Sequence, residues 1–119
     1  MKEDTMQELI LFEKEELLES MDNDIEFMCS ILDETIESLP NELDILRSHV
    51  EADDAAATRN QAHTMKGLSA NIYAPALRDV CLRIETAAKE GDLKTASEIL
   101  PELERVISLT ITEIKNRCL

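Results

Sequence analysis

Glycine and proline are scarce here, two and three residues in a chain of 119. Nothing at strand period competes with the Leu, Glu, Ala, Ile and Lys that dominate the sequence, and these residues favour helix. Basic residues are in deficit, twelve against twenty-six acidic ones, for a formal net charge of −14. Such a chain repels polyanions, so nucleic acid and anionic membrane are poor partners for it. Long apolar runs are missing as well. None approaches the ~20 residues of a membrane span, and Met1-Lys2-Glu3-Asp4 does not resemble a signal peptide. A cytoplasmic location is expected. Cysteine is limited to Cys29, Cys81 and Cys118, an odd, unclustered set without Cys-x-x-Cys spacing. Cys29 and Cys81 sit among apolar residues at helical spacing and read as reduced core thiols.

What is present suffices for one core. Hydrophobic residues make up 44% of the chain, enough to fold it despite 32% charged residues, and the length suits a single domain over residues 1–119. Five helices can be read. The first spans Gln7–Ser20 and carries Leu9, Phe12, Leu17 and Leu18. Asp24 is placed to cap the second, whose apolar positions run Ile25, Met28, Leu32, Ile36, Leu39, Leu43, Leu46 and Val50. The third spans Asp54–Ile72. Ala74-Pro75 opens the fourth, with proline where a first helical turn tolerates it, and Leu77, Val80, Cys81, Ile84 and Ala88 form its stripe. Gly91 ends that helix and Asp92 can cap the fifth, with Leu93, Ala96, Leu100, Leu103, Ile107, Ile111 and Ile114 inward. Pro40 and Pro101 fall inside their helices, and the stripe keeps its phase across each, so both read as kinks rather than ends. Short connections make neighbours antiparallel. The expected fold is all-α, an up-and-down antiparallel four-helix bundle with a short N-terminal cover helix.

The third helix carries the chemistry. With His63 as origin and about 100° per residue, Met65, Leu68, Ser69 and Ile72 point away toward the core. Arg59, Lys66, Gly67 and Ala70 share the face of His63, and Asn60 lies at its edge. A mid-helix glycine costs about 1 kcal/mol relative to alanine. At Gly67, one turn from His63, its use is clearance for an approaching protein. Lys66 stands three residues from His63, the spacing at which helical side chains meet, and its ammonium can pair with phosphate oxygens. Arg59 adds a second cation one turn earlier. An ordinary imidazole titrates near ~6.5 and is mostly neutral at pH 7, hence nucleophilic. Phosphoryl transfer needs chiefly positioning and charge neutralisation, which a partner can supply.

Ala62-His63-Thr64-Met65-Lys66-Gly67 resembles the His-x-x-Lys-Gly signature of histidine-containing phosphotransfer (HPt) domains of bacterial two-component phosphorelays. The similarity runs from Phe12-Glu13-Lys14-Glu15-Glu16-Leu17-Leu18 through Ser38-Leu39-Pro40 to Ile84-Glu85-Thr86-Ala87-Ala88-Lys89-Glu90-Gly91-Asp92-Leu93. By that resemblance His63 is the phosphoacceptor, exchanging its phosphoryl group with an aspartate of a receiver domain. Lys66 and Gly67 take the supporting roles at the phosphate, to which Arg59 is expected to add charge from its place on the same face, while Asn60, Ala70, Asn71 and Tyr73 are expected to meet the receiver. The resemblance implies no cofactor on this chain, since the receiver brings the acidic pocket and Mg²⁺. It also implies receiver domains, with a hybrid sensor histidine kinase as a further partner. Two positions depart from the family pattern. Leu68 replaces a common Ser, and Tyr73 stands where glycine is common.

Other chemistries fit less well. There is no Gly-rich phosphate loop and no ATP-binding half, so autonomous kinase activity is not expected. His49 and His63 are the only histidines, 14 residues apart on different helices, a weak basis for a metal site. His49 has Ala52 and Asp53 where a carrier needs lysine and glycine, and its place near a helix C-terminus suggests a favourable charge or polar contact. A monomer is expected, because four long helices can bury their stripes against one another.

Overall fold

The computed structural model describes residues 9–118. Five helices and no strands occur among them: α1 (Lys14–Ser20), α2 (Ile25–Glu51), α3 (Ala55–Asn71), α4 (Pro75–Lys89) and α5 (Leu93–Cys118). The last four pack in cyclic order, α2 on α3, α3 on α4, α4 on α5 and α5 back on α2, with α1 against α2. The result is the expected four-helix bundle with a short cover helix. Its 42 Å long axis is about the length of the 27-residue α2 at 1.5 Å per residue.

The apolar stripes fill the core. Met28, Leu32, Leu39 and Leu46 of α2 are fully buried with Leu77 and Ile84 of α4 and Leu103, Val106 and Ile114 of α5. Ile25 departs from its stripe. It occupies the first turn of α2 and stays exposed. Pro40 and Pro101 lie inside continuous helices, so neither ends one. Both are exposed, and water can serve the carbonyl that each missing N–H leaves unpaired. Cys81 is a free, buried thiol, as expected. Burial pushes it up to about 12, against a smaller opposing effect of the Ser69 hydroxyl, and the thiol is inert at neutral pH. Cys29 departs from the expectation of reduced thiols, being disulfide-bonded.

Helix ends are set by two repeated devices. Asp24, Asp54 and Asp92 each accept the backbone N–H three residues on, from Phe27, Ala57 and Thr95, all at 3.0 Å, which satisfies an orphan donor of the first turn. At the other ends, Asp22, Asp53, Tyr73 and Gly91 adopt positive φ. In each case two backbone hydrogen bonds close a Schellman turn, as in Ala74 N–H to Ser69 O (2.9 Å) and Tyr73 N–H to Ala70 O (3.1 Å). That geometry gives the physical reason for a glycine preference at position 73, where φ is +57°.

Gln7, where the sequence places the start of the first helix, lies outside the described residues; among those described, the first helix begins at Lys14. Leu9–Glu13 is not helical. The backbone there is committed elsewhere: Ala76 N–H donates to Ile10 O (3.0 Å) and Glu13 N–H to Tyr73 O (2.9 Å). Ala74 offers α4 no side-chain cap, so the Ile10 carbonyl takes that role from a distant part of the chain. The segment straps the junction between α3 and α4.

Asp54→Ala removes the cap that begins the histidine-bearing helix. The expected cost is about 1 kcal/mol, read as a lower urea midpoint with unchanged slope.

Candidate functional site

The inward face of α3 is made of small side chains. Thr58, Ala62 and Ser69 are fully buried there, with Met65 as the one large apolar residue inside the helix and Ile72 just past its end. Leu68, expected in the core, is only partly buried. Small residues let helix axes approach closely, and α3 packs intimately along α4 in antiparallel register.

That register delivers a side chain the sequence reading did not single out. Glu85 of α4 reaches across to α3, its Oε2 lying 2.9 Å from His63 Nδ1 and its Oε1 2.8 Å from Lys66 Nζ. The Glu85 side chain is only 15% exposed, whereas that of His63 is 67% exposed. Partial burial alone raises the Glu85 carboxyl, but contacts with Lys66 and then His63 outweigh it and hold the group below the usual glutamate range. Glu85 is therefore ionised at neutral pH and can only accept. His63 Nδ1 must then be the donor, which leaves Nε2 with the lone pair in the neutral ring. Glu85 fixes both the orientation and the tautomer of the imidazole.

The structure sharpens the other assignments one by one. Gly67 is exposed, and a Cβ built there meets nothing within 4 Å. No packing demand explains this glycine, and the space beside His63 is open. Arg59, Asn60, Ala70 and Asn71 are exposed as expected. Lys66 is not a free solvent-facing cation. Its side chain is 21% exposed and turned onto Glu85, because α4 offers a carboxylate within reach. The basic spot beside His63 is thus a neutralised pair until something competes for the ammonium. Tyr73 is half-buried at the left-handed turn after α3 and lines a small groove with Glu13, Ala70, Ala74, Pro75 and Arg78. His49 lies in the last turn of α2, partly buried and on another helix.

A signal for Glu85 was available. Reflecting α3 across the turn at Tyr73–Ala74 pairs position 63 with position 85, and a glutamate beside the buried stripe of α4 marks a half-buried carboxylate. Neither periodicity nor motif spacing measures that reflection, since each treats a helix alone.

The family model for the Hpt domain matches residues 30–115. The phosphorelay intermediate protein rdeA of Dictyostelium discoideum is 30% identical over 96 residues, which cover 81% of this chain and 38% of that protein. The chain therefore spans little more than a third of that relative's length. Among solved structures, histidine-containing phosphotransfer protein B of Pseudomonas aeruginosa PAO1 matches with a TM-score of 0.81 and 28% identity, over 91% of this chain and 93% of that one. The HPT domain of a sensor hybrid histidine kinase from Shewanella matches with a TM-score of 0.76 at 18% identity, over 92% and 94% of the two chains. The last likeness bears on the fold alone.

Two measurements test the site. Gly67→Ala should stabilise the protein by about 0.5–1 kcal/mol in denaturant unfolding, because the backbone is already helical and the added methyl meets nothing. Nitrogen-15 spectra should show His63 protonated at Nδ1 at neutral pH, and Glu85→Ala should shift the ring toward the Nε2–H tautomer. Glu85 has a lowered folded-state pKa, so its stabilising contribution is present above the ordinary glutamate value. It is lost as pH falls through the lowered one. A parent ring found mainly as Nε2–H would overturn the tautomer assignment.

Proposed function

We propose that this chain, which belongs to the Hpt domain family, carries its phosphoryl group on Nε2 of His63. Histidine phosphotransfer in a phosphorelay is the function of the domain. The phosphoacceptor assignment rests on one observation above the others: an exposed histidine whose Nδ1 is held by an ionised carboxylate while the space beside its ring is open.

The step is a displacement at phosphorus. The Nε2 lone pair forms the N–P bond as the P–O bond to a receiver aspartate breaks, and that aspartate leaves as a carboxylate. The Nδ1 proton stays in place, so the modified ring gains positive character that the Glu85 carboxylate offsets. Transfer onward reverses these changes. Lys66 is shared between Glu85 and the arriving phosphate oxygens, and Arg59 adds charge one turn away. The receiver supplies the acidic pocket and Mg²⁺. Gly67 lets it approach the ring, and Asn60, Ala70, Asn71 and Tyr73 border the contact. The chain has no kinase activity of its own, acts as a monomer on the cytoplasmic side, and also accepts phosphate through a hybrid sensor kinase. No helix among the described residues is long and apolar enough to cross a membrane.

A phosphorylated receiver should place acid-labile, base-stable phosphate on the parent chain and none on His63→Gln, with both proteins melting alike. ATP alone should label neither. Full labelling of His63→Gln would sink the assignment, and ATP-dependent self-labelling would replace the carrier with a kinase.

A further inference from the structure

The charge of this chain is distributed unevenly among its helices. Helix α3 carries Arg59 and Lys66 and no carboxylate at all, while α4 carries Arg78, Arg83 and Lys89 against Asp79 and Glu85. The two helices that form the His63 groove are thus net positive within a chain of formal charge −14. Helix α2, on the far side of α3, has Arg47 against seven carboxylates. This asymmetry is absent from the overall composition, which describes a uniformly acidic protein.

The register across the groove arranges these cations. His63 lies level with Glu85, and the Ser69 hydroxyl meets the Cys81 thiol further along the same seam. Antiparallel counting then puts Arg59 level with Lys89, one turn from the His63–Glu85 pair on both helices. It puts Ala70 level with Arg78, two turns away on the other side. Lys66 is occupied by Glu85, and Arg83 is turned to Glu102 of α5 at 2.6 Å. Arg59, Arg78 and Lys89 are exposed, and none of them forms an ion pair among the described residues. Charge reverses at the ends of the stretch. Glu90 and Asp92 follow Lys89, and Glu13 lines the small groove that holds Arg78.

We propose that Lys89 and Arg59 form a docking clamp for an acidic receiver surface, with Arg78 as a weaker contact at the opposite end of the groove. The inference rests on the phosphorelay reading and adds to it the chemistry of the partner. An acidic partner meets repulsion along α2 and net positive charge along the groove between α3 and α4, so electrostatics favours its approach at the groove. The acidic residues beyond Lys89 limit the footprint and disfavour neighbouring registers. Lys89 belongs to the last turn of α4, where the helix dipole favours a cation, so it is held at this position without a carboxylate partner.

The experiment uses the receiver found to label the parent chain, and follows transfer against NaCl concentration. For the parent, transfer should weaken as salt rises toward about 0.5 M, where the Debye length is only a few ångströms. Arg59→Glu combined with Lys89→Glu should raise KM about tenfold at low salt and flatten the salt dependence, with a fall in kcat as well, because Arg59 also adds charge for the arriving phosphate. Lys89→Gln should give a smaller rise in the same direction. Lys94→Glu, the same charge reversal on α5, should transfer like the parent. A parent rate indifferent to salt overturns the clamp, as does a double variant with parental KM or an equal loss in Lys94→Glu. If no receiver labels the parent, the phosphorelay reading falls and the clamp falls with it. Labelling of the parent together with indifference to these substitutions removes the clamp alone.

Discussion

The Glu85 carboxylate lies between a histidine and a lysine of the neighbouring helix, and this three-way contact depends on how closely α3 and α4 are allowed to pack. Thr58, Ala62 and Ser69 supply little apolar area on the inner face of α3, so that helix contributes less hydrophobic stabilisation than its neighbours. What the small side chains provide is proximity. A larger residue at Ala62 or Ser69 would push the helices apart and lengthen the 2.9 Å and 2.8 Å contacts beyond useful range. Packing at the buried side of α3 therefore sets the electrostatics at its exposed side.

The ends of these helices preserve that register. Tyr73 closes α3 in a left-handed turn, its carbonyl accepts from Glu13, and the Ile10 carbonyl caps α4. The strap ties the junction from outside the helical pair. A tyrosine is a costly choice where φ is positive, on the order of 1–2 kcal/mol for an L-residue with a bulky side chain, and its ring repays part of this by packing half-buried against the core. Schellman turns at four helix ends, only one of them containing glycine, also show how a chain with two glycines can make sharp reversals.

Chemistry on this scaffold is divided between orientation and access. Glu85 holds Nδ1 and leaves Nε2 as the nitrogen proposed to react, while the missing side chain at Gly67 leaves open space beside the ring. Lys66 couples the two in the proposed transfer, since the ammonium that steadies Glu85 at rest would also be the cation nearest to an incoming phosphoryl group. The resting site is close to neutral, and the basic character of the groove comes from Arg59, Arg78 and Lys89 at its margins. Local neutrality at the reacting atom and positive charge around it can coexist because the three cations are a turn or more away.

Much of this was legible in the sequence, for reasons tied to single helices. Apolar spacing gave the helices their inward faces, the aspartates at 24 and 92 marked where two of them begin, and the angular position of His63, Gly67 and Arg59 around α3 placed them in solvent. Such properties depend on residues within a few positions of one another, so a linear reading can reach them. The late start of α1 escaped that reading because Ile10 and Glu13 spend their backbone groups on partners some sixty residues away. Lys66 was placed on the correct helix but assigned to solvent, since its carboxylate comes from another element. Sequence by itself determined a helical bundle with one open histidine face. Only the tertiary structure decided which ring nitrogen is free and where the cations gather, because both follow from the register between two helices, a distance that no repeat within either one encodes.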